Sequence, residues 1–221
     1  MAFVRVNNSF TSTGSGTSVA TGPASLTAGN LLIVFITYSD NGSTIQSITD
    51  TAGNAFFFCT GSQIKNGTIV GEIWYAKNTL GNASNAITVT TSASCAEITI
   101  SWSQYSGGAT GSPFDKANSA SSSGFGIACN SLTPAGSNEL NVAFTACKTA
   151  GTPFTGSEGA AYGPVDNNGN WWGSEILAAS VAEIGDWSMD VNQQYIAMQA
   201  FFSTVNLGGG ARLLAATGVG K

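Results

Sequence analysis

The 221 residues are 43% hydrophobic and only 9% charged, so the chain can bury a core beneath a surface solvated mainly by uncharged Gly, Ser, Thr and Asn. Seven Lys and Arg against 12 Asp and Glu give a net charge of -5, which opposes a phosphate-neutralising role and hence a nucleic-acid partner. There is no histidine, which removes every Ser-His-Asp or Cys-His scheme and the commonest zinc ligand.

Met1 to Phe10 carries no basic leader and no apolar stretch of secretory length, so classical secretion is not expected. No run approaches the ~18 apolar residues of a membrane-spanning helix, so no membrane partner is expected. Leu31 to Tyr38 is apolar on both faces and predicts a central strand covered on each side. Turn chemistry follows at Asp40-Asn41-Gly42, Asp50 to Asn54, Asn66-Gly67 and Gly81-Asn82, and again at Asp166 to Asn170. Ile98, Ile100 and Trp102 alternate with Glu97, Thr99 and Ser101; Leu140, Val142, Phe144 and Ala146 alternate with Asn141, Ala143 and Thr145. Trp187, Met189 and Val191 alternate with Ser188 and Asp190, and Ile196, Met198, Ala200 and Phe202 with Tyr195, Ala197 and Gln199. Each of these predicts a half-buried strand. Cys59, Cys95, Cys129 and Cys147 are widely spaced and read first as small hydrophobes, with one or two disulfides as the alternative.

The chain also resembles itself. Leu26 to Thr37 matches Leu132 to Thr145, and each is followed by an Asp/Gly/Asn turn, an aromatic strand and a closing strand, Glu97 to Tyr105 in one half and Tyr195 to Thr204 in the other. The spacing predicts an all-β fold: an antiparallel two-sheet β-sandwich or jelly roll of two pseudo-repeated halves, in which the strand near Phe3 to Val6 lies close to that near Tyr195 to Phe202. One domain is expected over residues 1–206, followed by a Gly-rich C-terminal arm over 207–221. Leu213, Leu214 and Val219 are the sizeable apolar groups of that arm. They suit an inter-subunit contact, with folding back on the same domain as the alternative.

Ala28 to Val34, Ile48-Thr49-Asp50-Thr51-Ala52-Gly53-Asn54, Ile73 to Asn78, Ala86 to Thr90 and Trp102 to Gly107 together resemble a β-sandwich module of tailed-phage virion proteins and bacterial surface proteins. The resemblance spans most of residues 3–205 and rests on turns and core positions. It implies a jelly-roll or lectin-like sandwich without a catalytic constellation, and it transfers no site residues. Bacterial relatives carry the module behind a signal peptide in a longer chain; these 221 residues show neither feature, so the phage context is the expected one.

Asp166, Asn168 and Asn170 place oxygens at alternate positions, as a calcium loop begins, but Trp171 stands where the loop's Gly belongs and Leu177 where its closing Glu belongs. A hairpin turn is the plainer account. Glu183, Asp186 and Asp190 surround Trp187 without the same-face spacing of a glycosidase pair. Trp171 and Trp172 are adjacent, so a strand would point them to opposite faces; Phe56, Phe57 and Phe58 pose the same problem. Trp171, Trp172 and Phe57 are therefore candidates for a subunit interface or for stacking on a glycan, with core packing as the bland alternative. The expectation is a non-enzymatic structural virion protein without cofactor, located in the virion after synthesis in the host cytoplasm: a decoration or head-surface protein that binds the major capsid protein or other virion proteins and forms homo-oligomers. A carbohydrate-binding adhesin module is the alternative, and a secreted hydrolase fragment the third.

Overall fold

Period-two alternation yields strands and, among the described residues, no helix; the computed structural model describes residues 2–13, 16–147, 155–156, 160–161 and 171–206. The first half holds β1 (Val4–Thr13), β2 (Gly16–Ala20), β3 (Ala24–Leu26), β4 (Leu31–Ser39), β5 (Ile45–Asp50), β6 (Phe57–Phe58), β7 (Ile64–Asn66), β8 (Ile69–Ala76), β9 (Asn82–Asn85), β10 (Ile87–Cys95) and β11 (Ile98–Ser106). The second holds β12 (Phe114–Ala128), β13 (Glu139–Cys147), β14 (Thr155–Gly156), β15 (Ala160–Ala161), β16 (Trp171–Ala179) and β17 (Asp186–Phe202). All pairings are antiparallel.

The large sheet of the first half runs β1-β11-β4-β8-β6, and that of the second runs β12-β17-β13-β16-β15. Position for position the two orders are the same. A smaller sheet, β2-β10-β5, covers the first large sheet. Its counterpart in the second half is the far end of the β12–β17 ribbon. There the register jumps between Gly124 and Gly126, and Ser188 and Trp187 pair onward to β14. Even the short β3–β9 ladder, which pairs Leu26 with Asn82, has its echo in an isolated bridge between Leu132 and Glu183.

Three cores follow from this layering. Val34, Ile36, Ile100 and Trp102 pack with Val19, Ile87 and Val89 between the sheets of the first half. Ala143, Cys147 and Tyr195 pack with Ile127, Trp187 and Met189 under the curled ribbon of the second. The largest core lies between the halves, where Leu31, Ile33, Phe35, Ile73 and Tyr105 meet Leu140, Val142, Phe144, Met198 and Phe202. Phe3 joins this shared core, although β1 itself pairs with β11 and not with β17.

Leu31 to Tyr38 is covered on both sides, as its composition predicts. The half-buried expectation for β11, β13 and the 195–202 stretch of β17 needs correcting. Thr99, Ser101 and Ser103 are exposed by 2% or less, and Asn141, Thr145 and Gln199 are equally enclosed. The polar faces of these strands meet another layer instead of water, so their groups bond internally. Thr145 Oγ1 donates to Ile196 O at 2.8 Å, and Gln199 Nε2 donates to Asn130 O at 2.8 Å while its Oε1 accepts from Gly185 N at 3.1 Å. All four cysteines are buried and free; burial pushes the Cys147 thiol up to about 12, out of the reactive range.

Part of the contact between the halves is made in matching pairs. Leu31 opposes Tyr105 and Leu140 opposes Phe202, so Phe35 and Phe144 occupy equivalent places, and their rings stack with centroids 4.2 Å apart. Tyr75 of the first half meets Phe202 and Phe114 of the second at 5.5 and 5.8 Å between ring centroids. By register the equivalent contact sets Glu175 against Tyr105 and Arg5: Tyr105 Oη donates to Glu175 Oε2 at 2.7 Å, and Arg5 Nη1 lies 3.4 Å from Oε1. One copy of the contact is aromatic and the other pairs a buried carboxylate with a partly exposed guanidinium.

Candidate functional site

Both closing strands, β11 and β17, end on the same side of the molecule, and the segment linking the halves returns there. Ala109 N donates to Ser203 O at 3.0 Å and Ser203 N to Pro113 O at 2.7 Å. Asn206 accepts with one side-chain oxygen from Gly111 N at 2.7 Å and Ser112 N at 3.1 Å. This clamp fixes the point from which residues 207–221 continue.

Two open grooves flank the clamp and share Thr204. One, of about 750 Å³, runs between Ala135–Asn138, Ala178 and Val205; the other, of about 460 Å³, runs between Gly29, Asn30 and the 106–110 loop. Mostly small residues line both, and Val205, 63% exposed, lies at the first. Surfaces of this kind suit the docking of extended chain or of a flat neighbouring β-surface.

A pair of acids lies beneath the first groove. Asp115 opens β12 and accepts from Ala135 N at 2.8 Å, while Glu139 opens β13 and accepts from Gly136 N at 2.9 Å. Glu139 is wholly buried, and its Oε2 receives no donor. Burial, and then the charge of Asp115, hold the Glu139 carboxyl above the usual carboxylate range, opposed only in part by the Gly136 N–H and, less, by Lys116. A proton retained on Glu139 can be donated to Asp115, which keeps the 135–138 loop seated.

Of the aromatic candidates, Phe57 stands at the sheet edge, 40% exposed, with Lys77 Nζ 5.1 Å above its ring and Tyr75 5.5 Å away. Phe56 turns partly into the first-half core, and Phe58 leans on Trp74. Phe57 is thus the outer rung of an aromatic ladder that runs inward to Phe202. Trp171 and Trp172 lie opposite Ala146 and Thr145 in β16; their side chains are outside the described residues. So are Asp166, Asn168 and Asn170, together with Leu213, Leu214 and Val219. Leu177 packs on the shared core, Trp187 is buried, Glu183 bridges by main chain to Leu132, and Asp186 borders Cys129.

Sequence reasoning missed the three buried carboxylates Glu72, Glu139 and Glu175. The available signal was a lone acid inside an otherwise apolar strand, as in Val70-Gly71-Glu72-Ile73-Trp74. A scan against protein-family models gives no match, and a search of curated proteins gives none.

Proposed function

We propose that the chain is a structural virion protein of a tailed phage, a decoration or head-surface protein that binds the capsid lattice and associates with its own copies. The strand order carries the proposal. In each half the first and last strands are neighbours in the larger sheet, β1 beside β11 and β12 beside β17; in the first half the chain crosses to the smaller sheet β2-β10-β5 in between, and in the second the far end of the β12–β17 ribbon stands in that place. This wrapping supports a jelly-roll or lectin-like sandwich in each half, an architecture recurrent in viral capsid and lectin domains; the step from it to function is an analogy of fold. The resemblance to virion modules points the same way. A surface with few charges can be buried against a lattice without desolvating ions, and Val4 and Val6, 55% and 47% exposed on a strand with one ladder partner, offer an edge to a neighbour.

Gene neighbourhood is the first test, with portal, protease and major capsid genes expected alongside. With capsids of that phage, the full chain should co-sediment saturably. Deleting residues 208–221 should weaken that attachment while leaving the melting temperature nearly unchanged. Full-length protein that stays in the supernatant overturns the proposal.

A further inference from the structure

A second concavity, remote from the grooves at the chain exit, lies between the turn after β4 and the β7–β8 hairpin. It holds about 280 Å³ and is lined by Tyr38, Asp40, Thr44, Gln63, Lys65 and Val70, among others. Behind it sits Glu72, 3% exposed, whose carboxylate accepts from Tyr38 Oη at 2.9 Å, Gln63 Nε2 at 2.8 Å and Trp74 Nε1 at 2.8 Å. A buried acid that takes three donors fixes the groups around it, and with its NH₂ turned to Glu72 the Gln63 amide turns its oxygen the other way. Burial, and then Glu72, hold the Tyr38 phenol far above its ordinary range, so it remains a neutral donor. At the mouth Asp40 and Lys65 form an ion pair, and Asp40 Oδ1 also accepts from Gly42 N at 3.1 Å.

We propose that this cleft binds a small polyol through a vicinal diol, as presented by one pyranose ring. Adjacent hydroxyls can donate to the Asp40 carboxylate and accept from the Lys65 ammonium without separating the ion pair, and the ring carbons can rest on Val70 and Ile64. The volume sits near the lower limit of small-ligand sites, roughly 300 Å³, room for one ring and not for a chain.

Saturation-transfer NMR and calorimetry on the full-length protein, with glucose, galactose, mannose and N-acetylglucosamine as probes, test the proposal. At least one sugar should bind saturably, and about tenfold or more of its affinity should be lost in Asp40→Asn, the loss expected when a charge-assisted hydrogen bond goes. Lys65→Met, at a largely exposed side chain, should give a comparable loss and serves as the second variant if Asp40→Asn folds poorly. Phe57→Ala should leave binding intact. Absence of saturable binding by all four sugars, binding unchanged in both variants, or saturable binding of glycine in place of sugar overturns it. None of these outcomes touches the capsid proposal, which is read from sedimentation.

Discussion

Glu139 shows how one proton can matter to this fold. Its carboxyl is held above the ordinary range by burial and by Asp115, so the folded state binds the proton more tightly than the unfolded chain does. The resulting stabilisation is complete below the usual Glu value of about 4.3 and is lost as pH rises through the folded-state value. Glu139→Gln keeps the shape, accepts from Gly136 N and offers Asp115 a permanent donor. It should raise the melting temperature at pH 8 by about 2–4 °C, the shift that roughly 1 kcal/mol gives at this size, and the advantage should vanish near pH 4. Scanning calorimetry across that range decides it; equal melting of the two proteins at pH 8 would show that the pair holds no strained charge.

Where elements meet, spacing between sheets is the tightest constraint. Gly71 lies mid-strand in β8, and a Cβ there would come within 2.3 Å of Met198 Cε and 2.6 Å of Ile196 Cδ1 across the shared core. Gly71→Ala should therefore lower stability by about 1–3 kcal/mol, the usual range for overpacking, seen as an earlier urea midpoint with unchanged slope. Gly61, at φ +100°, approaches Ala117 O so closely that a Cβ would sit 2.6 Å from it, another place where the halves leave no room. Strands β4, β11, β13 and β17 were legible from period-two alternation, because the pleat writes its faces into the sequence. What covers each face was not legible: Thr99 and Ser101 read as the open face of a half-buried strand, yet are enclosed. The internal repeat was visible but one residue out of step. Matching Thr37 to Thr145 puts the pair on opposite faces, whereas the ladders make Phe35 equivalent to Phe144. At the candidate site the grooves are lined by residues 29–30, 106–110, 135–138 and 203–206, whose meeting depends on topology and leaves no residue pattern to read.

For the molecule as a whole, the doubled contact governs which surface finds which. If two second halves paired with each other, Glu175 would face Phe114 and Phe202 without a cation; if two first halves paired, Arg5 would lose its carboxylate. Both like-with-like arrangements leave a charge unpaired, and for Glu175, which is buried, this is strongly destabilising, whereas Arg5 is partly exposed and loses less; the polar copy therefore favours pairing of unlike halves within one chain. Arg5→Phe combined with Glu175→Tyr makes both copies aromatic and should add exchanged dimers and larger species to the population seen by native mass spectrometry; an unaltered mass distribution would show that linker length alone sets the pairing. An interface in which a contact recurs with its two sides exchanged is the arrangement of a homodimer. In this chain the seven residues 107–113 join its two sides. In a homodimer one gene spells both sides, so any substitution lands twice and a lone Glu at this position would face its own aromatic counterpart. Carrying the two sides as separate stretches of one chain releases that constraint, so that Tyr75, Phe114 and Phe202 meet in one copy of the contact while Glu175, Arg5 and Tyr105 meet in the other.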